Sequence, residues 1–332
     1  MLIKENVLIT GGAGYIGSHV SKLLSKNNFN PIIIDNLSTG NKKLLKYGQF
    51  YKCDISNKKK ISEIIEEFNI KSVIHFAAFI QVEESVKKPY KYYYNNSIKT
   101  INFIKDCIKN GIENFVFSST AAVYGIPEKI PIKEDANLKP INPYGKSKLI
   151  SEMFLKDISE SSKNFRYVAL RYFNVAGADR EGELGQIYKK PSHLITLALK
   201  TALGQYPELK IFGTDYETRD GTAIRDYIFI EDLADAHQRA LEFLKNDRQN
   251  RIFNCGYGKG YSVKEIVETV KKVTKTDFKT INADRRDGDP PSLIADTNKI
   301  RKELKWKPKY DNIELIIETA YKWEKRLTEE SR

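Results

Sequence analysis

Residues 10–17, of sequence TGGAGYIG, join the first predicted strand of the chain to its first predicted helix. Glycine at positions 11, 14 and 17 lets the backbone turn tightly, approach a bound group closely and pack the helix on the strand. The amino end of that helix also offers unpaired N–H groups and a positive dipole end to phosphate. The segment therefore predicts a pyrophosphate-binding turn at the start of a dinucleotide-binding sheet.

The first half of the chain alternates short apolar segments with longer amphipathic ones. Strand, helix and strand in repeated order predict a parallel sheet with helices on both faces. We therefore expect an α/β fold with a doubly wound Rossmann sheet. The predicted strands are residues 7–10, 31–34, 49–53, 72–76, 114–118 and 166–172, and the predicted helices are residues 15–26, 57–68, 91–110 and 143–162.

The sequence changes character after about residue 174. Residues 174–191 are rich in Gly, Asp and Glu and predict a long loop, which in a compact domain is often functional. Helices are predicted at residues 263–272 and 313–326, and a polar turn at 284–291. We expect residues 1–174 to form a dinucleotide-binding domain and residues 175–332 to form mainly a smaller α/β substrate lobe. In this division some later segments, such as residues 227–240, are allowed to return to the first domain.

Composition argues against several classes of protein. No apolar run is long enough to cross a bilayer, and the first residues lack the pattern of a signal peptide. The cysteines, Cys53, Cys107 and Cys255, favour a reduced cytoplasmic setting over a disulfide framework, and no metal-ligand spacing is present. The net charge of +12 comes from scattered basic residues, which favours a solvated surface over a nucleic-acid interface. We expect a small-molecule substrate, with no metal, membrane or nucleic acid as partner.

Two acidic residues follow predicted strands. A carboxylate at Asp35, about 20 residues beyond the glycines, accepts hydrogen bonds from the hydroxyls of an adenosine ribose and repels a 2′-phosphate. It therefore favours NAD over NADP, the alternative being a helix cap or a turn residue. Asp54 ends the next strand, where it either contacts the adenine edge or caps the helix predicted from residue 57.

Tyr144 and Lys148 are four residues apart in a predicted helix, so their side chains share one face. A cation beside a phenol lowers the pKa of the phenol, and together with a positive nicotinamide ring it makes tyrosine a base near neutral pH. Thr120 ends a strand at the edge where such a sheet meets its ligands, and supplies a hydroxyl beside the phenol. The alternatives are an exposed helix face for the pair and a strand-end hydrogen bond for Thr120.

Further motifs follow one another along the whole chain. They begin at His75, Ser118, Asn142, Arg171, Gly221 and Arg286, with the sequences HFAA, SSTAAVYG, NPYGKSK, RYFN, GTAIRDY and RDGD. With the glycine turn, this series resembles the extended short-chain dehydrogenase/reductase family and, within it, the 4-epimerases of UDP-linked sugars. The resemblance implies NAD as the cofactor, a UDP-sugar as the substrate and a homodimer. In such a dimer the helices around residues 91–110 and 143–162 pack across a two-fold axis.

The resemblance also implies a role for each matching position. The catalytic residues are Thr120, Tyr144 and Lys148. The NAD contacts include those three and Gly11, Gly14, Tyr15, Ile16, Gly17, Asp35, Asn36, Asp54, Ile55, Phe76, Ala77, Ala78, Asn95 and Phe173. The contacts to the nucleotide sugar include Thr120 and Tyr144 and also Asn174, His193, Ile211, Phe212, Arg225, Arg286, Asp289 and Leu293. The planar guanidinium groups of Arg225 and Arg286 suit the UDP phosphates, the alternative for either being a structural ion pair.

Three positions depart from the family pattern. Ile80 stands where several relatives have a lysine near the cofactor, so that contact is absent. His193 replaces a substrate-side asparagine and can donate a similar hydrogen bond. Leu293 lies at a position that gates the sugar pocket. Because leucine is bulky and apolar, we expect UDP-glucose and UDP-galactose to be preferred over their N-acetyl forms.

These roles imply NAD-dependent epimerisation at C4 of a UDP-hexose. Tyr144 takes the proton of the 4-hydroxyl, a hydride passes to NAD⁺, and the 4-keto sugar turns over before the hydride returns to its other face. A UDP-pentose, UDP-xylose or UDP-arabinose, is an alternative substrate. A nucleotide-sugar 4,6-dehydratase needs acidic residues directly after Thr120, where this chain has Ala121 and Ala122. A non-catalytic NAD-sensing protein is expected to lack Tyr144 and Lys148.

Overall fold

The computed structural model describes residues 4–188, 191–286 and 289–330, and strands alternate with helices along them. The strands are β1 (Glu5–Thr10), β2 (Phe29–Asp35), β3 (Gln49–Lys52), β4 (Ser72–His75), β5 (Asn114–Thr120), β6 (Arg166–Tyr172), β7 (Asn174–Ala176), β8 (Leu209–Phe212), β9 (Ile224–Arg225), β10 (Tyr227–Phe229), β11 (Arg251–Cys255), β12 (Tyr261–Ser262), β13 (Thr280–Ala283) and β14 (Ser292–Leu293). The helices are α1 (Tyr15–Lys26), α2 (Lys58–Glu67), α3 (Val82–Lys87), α4 (Pro89–Tyr92), α5 (Thr100–Lys109), α6 (Pro143–Ser161), α7 (Leu194–Ala202), α8 (Ile230–Asp247), α9 (Val263–Thr274), α10 (Asn298–Glu303) and α11 (Ile313–Glu329). A π-helical stretch, Tyr93–Lys99, joins α4 to α5.

Seven parallel strands form the central sheet, in the order β11, β6, β5, β4, β1, β2, β3. Successive side chains of a strand point to opposite faces, and both faces of β1 are buried. Val7 and Ile9 enter one apolar core with residues of α1 and α8, whereas Leu8 enters another with residues of α2, α5 and α6. This arrangement confirms the predicted α/β sheet with helices on both faces.

The strand order reverses between β1 and β4, which are neighbours in the sheet. Helices that leave such neighbours cover opposite faces, so a crevice opens at the carboxyl ends of the two strands. The glycine turn follows β1 at that edge, and the HFAA motif begins with His75, the last residue of β4. The fold therefore brings these two motifs together.

Two segments from the second half of the chain contact the first half. β11 pairs in parallel with β6 at the edge of the central sheet, and α8 packs on α1. The other strands of the second half form small sheets, in which β7 pairs with β10, β8 with β13, and β9 with both β12 and β14. These small sheets carry five of the ten residues expected to contact a nucleotide sugar.

Most of the predicted elements occur within a few residues of the predicted bounds. The predictions for α1 and β6 agree with the structure at both ends. The helix predicted at residues 91–110 is instead divided into the end of α4, the π-helical stretch and α5. The predicted loop at residues 174–191 begins with the short strand β7. Residues 189–190 of that loop and 287–288 of the predicted turn lie outside the described residues.

The described residues also bear on whether this chain is a membrane protein, a disulfide-bonded protein or a metalloprotein. None of their helices is long and apolar enough to cross a membrane. The three cysteines are buried and free of disulfide bonds. The acidic side chains of Asp179, Glu181 and Glu183 cluster as metal ligands do, but the Lys22 ammonium lies 2.7–2.8 Å from all three. A lysine thus takes the place that a metal cation would need.

Candidate active site

The glycine turn after β1 is held in a shape that larger residues do not fit. Gly11 has a φ of 71°, and a Cβ there would lie 2.7 Å from the backbone nitrogen of Ala77. A Cβ on Gly17 would lie 2.5 Å from the carbonyl oxygen of Gly11. Gly14 begins α1 without a side-chain cap, so the first N–H groups of the helix remain available to a phosphate. The turn therefore has the form required for close approach of a dinucleotide pyrophosphate.

The two residues after Gly14 support the turn from the helix. The Tyr15 hydroxyl donates to the Gly177 carbonyl oxygen at 2.6 Å, and Ile16 is half-buried against the apolar core. The ring of Tyr15 therefore links the start of α1 to the segment that follows β7.

Asp35 lies at the end of β2 and is buried. Its carboxylate oxygens accept from the backbone N–H groups of Ala13, at 3.1 Å, and Leu37, at 2.7 Å. Burial raises the pKa of Asp35, and these two hydrogen bonds oppose the rise. Asp35 thus holds the glycine turn and stands beside it, where a ribose contact is expected. By accepting from the Leu37 N–H, Asp35 also acts as a turn residue, so that alternative is partly correct.

Asp54 lies between Asn36 and the π-helical stretch. Its carboxylate accepts from the Asn36 amide at 2.7 Å, from Ser56, and from the Lys99 ammonium at 3.0 Å. Burial disfavours the charged carboxylate, but these hydrogen bonds outweigh it and lower the pKa of Asp54. Asn57, and not Asp54, caps α2, so the helix-cap alternative for Asp54 is wrong. The next residue, Ile55, is buried in the apolar core.

The segment after β4 lines the same edge of the sheet. Phe76, Ala77 and Ala78 are half-buried, and the Phe76 ring lies 4.8 Å from the ring of His237, between centroids. The Asn95 amide donates to the Asn96 side chain at 3.0 Å. Asn96 in turn bonds both the N–H and the carbonyl of Phe79, at 2.9 and 2.8 Å.

Sequence reasoning did not single out Asn96 or Lys99. Both lie in the π-helical stretch, and Asn96 also contacts the Ser147 hydroxyl of α6 at 3.3 Å. Their positions in a polar, helix-like segment were visible in the sequence, but their partners are far away along the chain.

Thr120, Tyr144 and Lys148 are brought together where β5 meets α6. The Asn142 side chain caps α6 by accepting from the Gly145 N–H at 2.9 Å, which places Tyr144 in the first turn. The Thr120 hydroxyl lies close enough to the Tyr144 phenol to lower its pKa. The Lys148 ammonium is buried and donates to the Ser118 carbonyl oxygen at 2.8 Å. The alternative of an exposed Tyr–Lys helix face is therefore wrong, because α6 turns this face inward.

The electrostatics of this group differ from the expectation. Burial raises the pKa of Tyr144, and the neighbouring Thr120 hydroxyl only partly opposes the rise. Burial also lowers the pKa of Lys148 to about 7, with the charge of Glu152 opposing the change. The expected lowering of the pKa of Tyr144 is thus wrong for the protein groups alone, because desolvation of the phenol outweighs its polar neighbours.

Asn174 and His193 line a small cavity with a volume of about 30 Å³, together with Tyr15, Gln186 and Tyr227. The His193 Nδ1 atom is buried and has no hydrogen-bond partner among the described residues. Burial lowers the pKa of His193, so the ring is neutral at pH 7. Its ring stacks on that of Tyr188, with 5.9 Å between centroids. A neutral imidazole with an unused nitrogen fits the expected hydrogen bond to a ligand.

The positions expected to hold the uridine diphosphate lie on β8, β9 and the segment before β14. Ile211 is buried, and Phe212 stacks against Arg286, whose guanidinium carbon lies 4.1 Å from the ring centroid. Arg225 is buried and forms an ion pair with Asp289. The structural ion pair considered for either arginine is therefore present at Arg225, whereas Arg286 is exposed.

Leu293 lies on β14 opposite Arg225 of β9. It packs at the edge of a small apolar cluster that includes Ala121 and Phe173. Ala121 directly follows Thr120, so this cluster places Leu293 near the end of β5. Ile80, where the resemblance implies a lysine in several relatives, is 38% exposed.

The chain is similar to known UDP-sugar 4-epimerases over nearly its whole length. The UDP-glucose 4-epimerase of Azospirillum brasilense is 46% identical over 322 residues, covering 97% of this chain and 92% of that protein. The crystal structure of UDP-glucose 4-epimerase from Brucella ovis in complex with NAD matches with a TM-score of 0.93 and 44% identity, covering 96% of this chain and 97% of that one. The UDP-Glc/GlcNAc 4-epimerase of Campylobacter jejuni matches with a TM-score of 0.85 and 45% identity, covering 97% and 99% of the two chains. Residues 7–256 match the NAD dependent epimerase/dehydratase family, and the chain belongs to that family.

Proposed function

We propose that this protein is an NAD-dependent enzyme that epimerises UDP-hexoses at C4 and interconverts UDP-glucose and UDP-galactose. One observation carries the proposal: Thr120, Tyr144 and Lys148 meet at the sheet edge beside the glycine turn, with Ala121 and Ala122 following Thr120. The first three residues suit oxidation of a hydroxyl. The two alanines supply no acid for expelling a 6-hydroxyl, which disfavours a dehydratase.

The residues beside the crevice between β1 and β4 fit NAD. The glycine turn accepts a pyrophosphate, and the buried carboxylate of Asp35 stands beside it. Asn36, Asp54 and Ile55 lie along the adenine side, and Phe76, Ala77, Ala78, Asn95 and Phe173 follow towards the catalytic group. Bound NAD⁺ supplies a hydride acceptor that returns the hydride later in the same turnover. Because Asp35 is an anion beside the ribose position, the protein selects NAD over NADP.

Tyr144 acts as the general base and then as the general acid at the sugar 4-oxygen. Thr120 donates or accepts a hydrogen bond beside the phenol, and the Lys148 ammonium favours the phenolate. The 4-keto sugar must present its other face before the hydride returns. The sugar ring therefore needs freedom to rotate while its nucleotide stays fixed.

The fixed end is the uridine diphosphate, held by the second half of the chain. Arg286 stacks on Phe212 and presents an exposed guanidinium, while Arg225 is oriented by Asp289. Planar guanidinium groups bind phosphate oxygens in pairs. Asn174, His193, Ile211 and Leu293 complete the pocket. In this proposal residues 1–174 bind NAD, residues 175–332 mainly bind the UDP-sugar, and the chemistry takes place in the cleft between them.

The protein acts as a homodimer in this proposal. Tyr94 and Ile98 of the π-helical stretch and Ile150 and Met153 of α6 expose 37–59% of their surfaces, and the two elements pack side by side. Adjacent exposed apolar side chains on two helices are typical of a subunit interface. A second copy of this chain, related by a two-fold axis, would cover this face.

We place the enzyme in the cytoplasm. Its three cysteines are buried as free thiols, which suits a reducing compartment.

The test uses purified protein and a panel of UDP-sugars that includes UDP-glucose, UDP-galactose, their N-acetyl forms, UDP-xylose and UDP-arabinose. We expect interconversion of UDP-glucose and UDP-galactose without added cofactor, and NAD(H) in the supernatant after denaturation. Activity confined to the pentoses, or a 4-keto-6-deoxy product, would contradict the proposed reaction. A requirement for NADP would contradict the role of Asp35.

A further inference from the structure

A buried carboxylate lies one helical turn beyond the catalytic lysine. Glu152 follows Lys148 by four residues on α6, so both side chains lie on the same face of the helix. Glu152 is 3% exposed, and its ion-pair partner Arg171 is 2% exposed. Neither residue belongs to the NAD or UDP-sugar contacts proposed above.

The Glu152 carboxylate is held at both oxygens. The Arg171 guanidinium donates through Nε to Oε1 at 3.0 Å and through Nη2 to Oε2 at 2.6 Å. The Ser119 hydroxyl donates to the same Oε1 atom. A carboxylate that accepts hydrogen bonds from a planar guanidinium group and from a hydroxyl has little freedom to rotate. Its charge therefore stays at a fixed place relative to α6.

The other donor of Arg171 connects this pair to a second buried group. Nη1 donates to the Tyr124 hydroxyl oxygen at 2.9 Å, and that hydroxyl donates to Asn254 Oδ1 at 2.6 Å. Asn254 belongs to β11, whereas Arg171 belongs to β6. The network thus fixes Arg171 from the side opposite to Glu152.

The residues bound to Glu152 lie next to residues of the proposed site along the chain. Ser119 lies between Ser118, whose carbonyl accepts from Lys148, and Thr120. Arg171 precedes the segment Tyr172-Phe173-Asn174, which leads to the substrate side. Hydrogen bonds to Glu152 therefore join the ends of β5 and β6 to the turn of α6 that follows Lys148.

Several titratable groups surround Lys148 in the described part of the chain. Tyr144 and Glu152 lie on its own helix, His75 faces it from β4, and Arg171 and Tyr172 lie on β6. Burial lowers the pKa of His75 to about 3, so this ring is neutral at working pH. Among these groups Glu152 is the one whose charge raises the pKa of Lys148 against its burial.

We propose that Glu152 is a positioning residue of the reaction: its carboxylate, clamped by Arg171 and Ser119, places a fixed negative charge one helical turn from Lys148. It also holds the end of β5, where the Ser118 carbonyl accepts from the Lys148 ammonium. The inference rests on the proposed function only in assigning Lys148 to catalysis. The buried ion pair of Glu152 and Arg171 then has a role in the reaction. Buried ion pairs often make a folded protein no more stable than apolar residues of equal volume would.

The direct test is the titration of Lys148 in the full-length enzyme. Lysine labelled with ¹³C at Cε is followed by NMR, and the Lys148 signal is identified by its absence in Lys148→Met. In Glu152→Gln we expect the titration midpoint of Lys148 to fall by about one pH unit, as for loss of a nearby opposite charge. An unchanged midpoint in the folded variant overturns the proposal.

The pH profile of kcat provides a second readout. Well below the Lys148 midpoints of both the wild type and Glu152→Gln, the two proteins have the same charged fraction of Lys148. Above both midpoints, a shift of one pH unit makes that fraction about tenfold lower in the variant. Glu152→Gln should therefore lose roughly tenfold in kcat above pH 8 and little at pH 6, with KM for the UDP-sugar changed less than about twofold. A loss of the same size at every pH indicates a merely structural role and contradicts the proposal.

Two further variants keep the test decisive. Ser119→Ala keeps the ion pair of Glu152 with Arg171 and should lower the Lys148 midpoint by a smaller amount. It serves as the test if thermal unfolding shows that Glu152→Gln is misfolded. Asp232→Asn is the matched control, because Asp232 is a buried carboxylate on α8 that accepts from Tyr257, Lys309 and Tyr310. It should leave the Lys148 midpoint unchanged. A wild-type protein inactive on every UDP-sugar would refute the proposed function, while the Lys148 titration would still be readable.

Discussion

The Tyr144 phenol lies in surroundings that disfavour its charged form, because burial raises its pKa. The proposed action of Tyr144 as a base near neutral pH therefore requires positive charge close to the phenol. Tyr144→Phe keeps the packing of the ring and removes the proton acceptor. We expect kcat to fall by at least ~10², with bound NAD and the unfolding temperature nearly unchanged. Tyr206→Phe, at an exposed tyrosine, is the control, and near-normal turnover in Tyr144→Phe would place the base elsewhere.

Leu293 is the residue at which we expect sugar choice to be decided. It packs beside the cluster of Ala121 and Phe173 and offers no hydrogen bond to an acetamido group. UDP-glucose and UDP-galactose should be preferred over their N-acetyl forms, but modestly, because a size contrast in an apolar pocket yields only about 1–3 kcal/mol. Leu293→Ser should narrow or reverse the preference. The measurement is kcat/KM for both sugar pairs, and an unmoved ratio would show that Leu293 is not the gate.

Residue chemistry follows from sequence where it depends on local spacing. The spacing of Tyr144 and Lys148 predicts a shared helix face, and in the structure that face turns inward. The rise in the pKa of Tyr144 was not predictable, because it depends on how deeply the whole fold buries the phenol. The ion pair of Arg225 with Asp289 joins residues 64 positions apart, so no local pattern indicates it.

Among the elements, the turn between β1 and α1 gives the sharpest steric prediction. Gly11→Ala adds a Cβ that meets the Ala77 nitrogen at 2.7 Å, at a φ of 71°. Gly204→Ala is a matched control, since Gly204 has a φ of 75° and nothing within 4 Å of its Cβ position. Both variants bear the strain of a positive φ, roughly 1–2 kcal/mol. We expect only Gly11→Ala to lose bound NAD as well, measured in the denatured supernatant, and equal NAD content in the two variants would contradict this.

Hydrophobic periodicity predicts elements well when one period runs through them. It places α1 correctly because α1 has a continuous buried face. It also places β6, whose short apolar run is buried on both faces. It fails at residues 91–110, where the π-helical stretch interrupts the helix. The Ser97 and Asn96 contacts to Ser147 and Ser151 of α6 set that stretch, and they are tertiary contacts that the local pattern does not contain.

For the whole molecule, the exposed apolar face on the π-helical stretch and α6 predicts the assembly state. The double variant Ile98→Glu/Met153→Glu puts two like charges on each side of a two-fold interface. We expect a dimer for the wild type and a monomer for the variant by light scattering coupled to size exclusion. Tyr206→Glu, on another exposed surface, should remain dimeric. A monomeric wild type would refute the proposed assembly.

Buried histidines predict how stability depends on pH. Burial lowers the folded-state pKa of His19 and His237 to about 4 and that of His75 to about 3. The unfolded chain, with histidine pKa values near 6.5, binds more protons between pH 6.5 and 4, so stability is lost as pH falls through this window. Each histidine contributes a slope of about 1.4 kcal/mol per pH unit. Urea unfolding should show a steep loss below pH 6.5, and His237→Gln should make it shallower. An unchanged slope would contradict the assignment.

The strand β11 sets the order in which this molecule can be completed during synthesis. β11 occupies the edge of the sheet beside β6, but residues 251–255 leave the ribosome long after the other six strands. At about 5–20 residues per second, the emerging chain carries an unpaired β6 edge for several seconds or longer. An open edge of this kind invites pairing with other chains. The apolar face of α1 likewise waits for α8 to cover it. We therefore expect that residues 1–174 do not fold as a separate module, and that a chain cut at residue 174 aggregates.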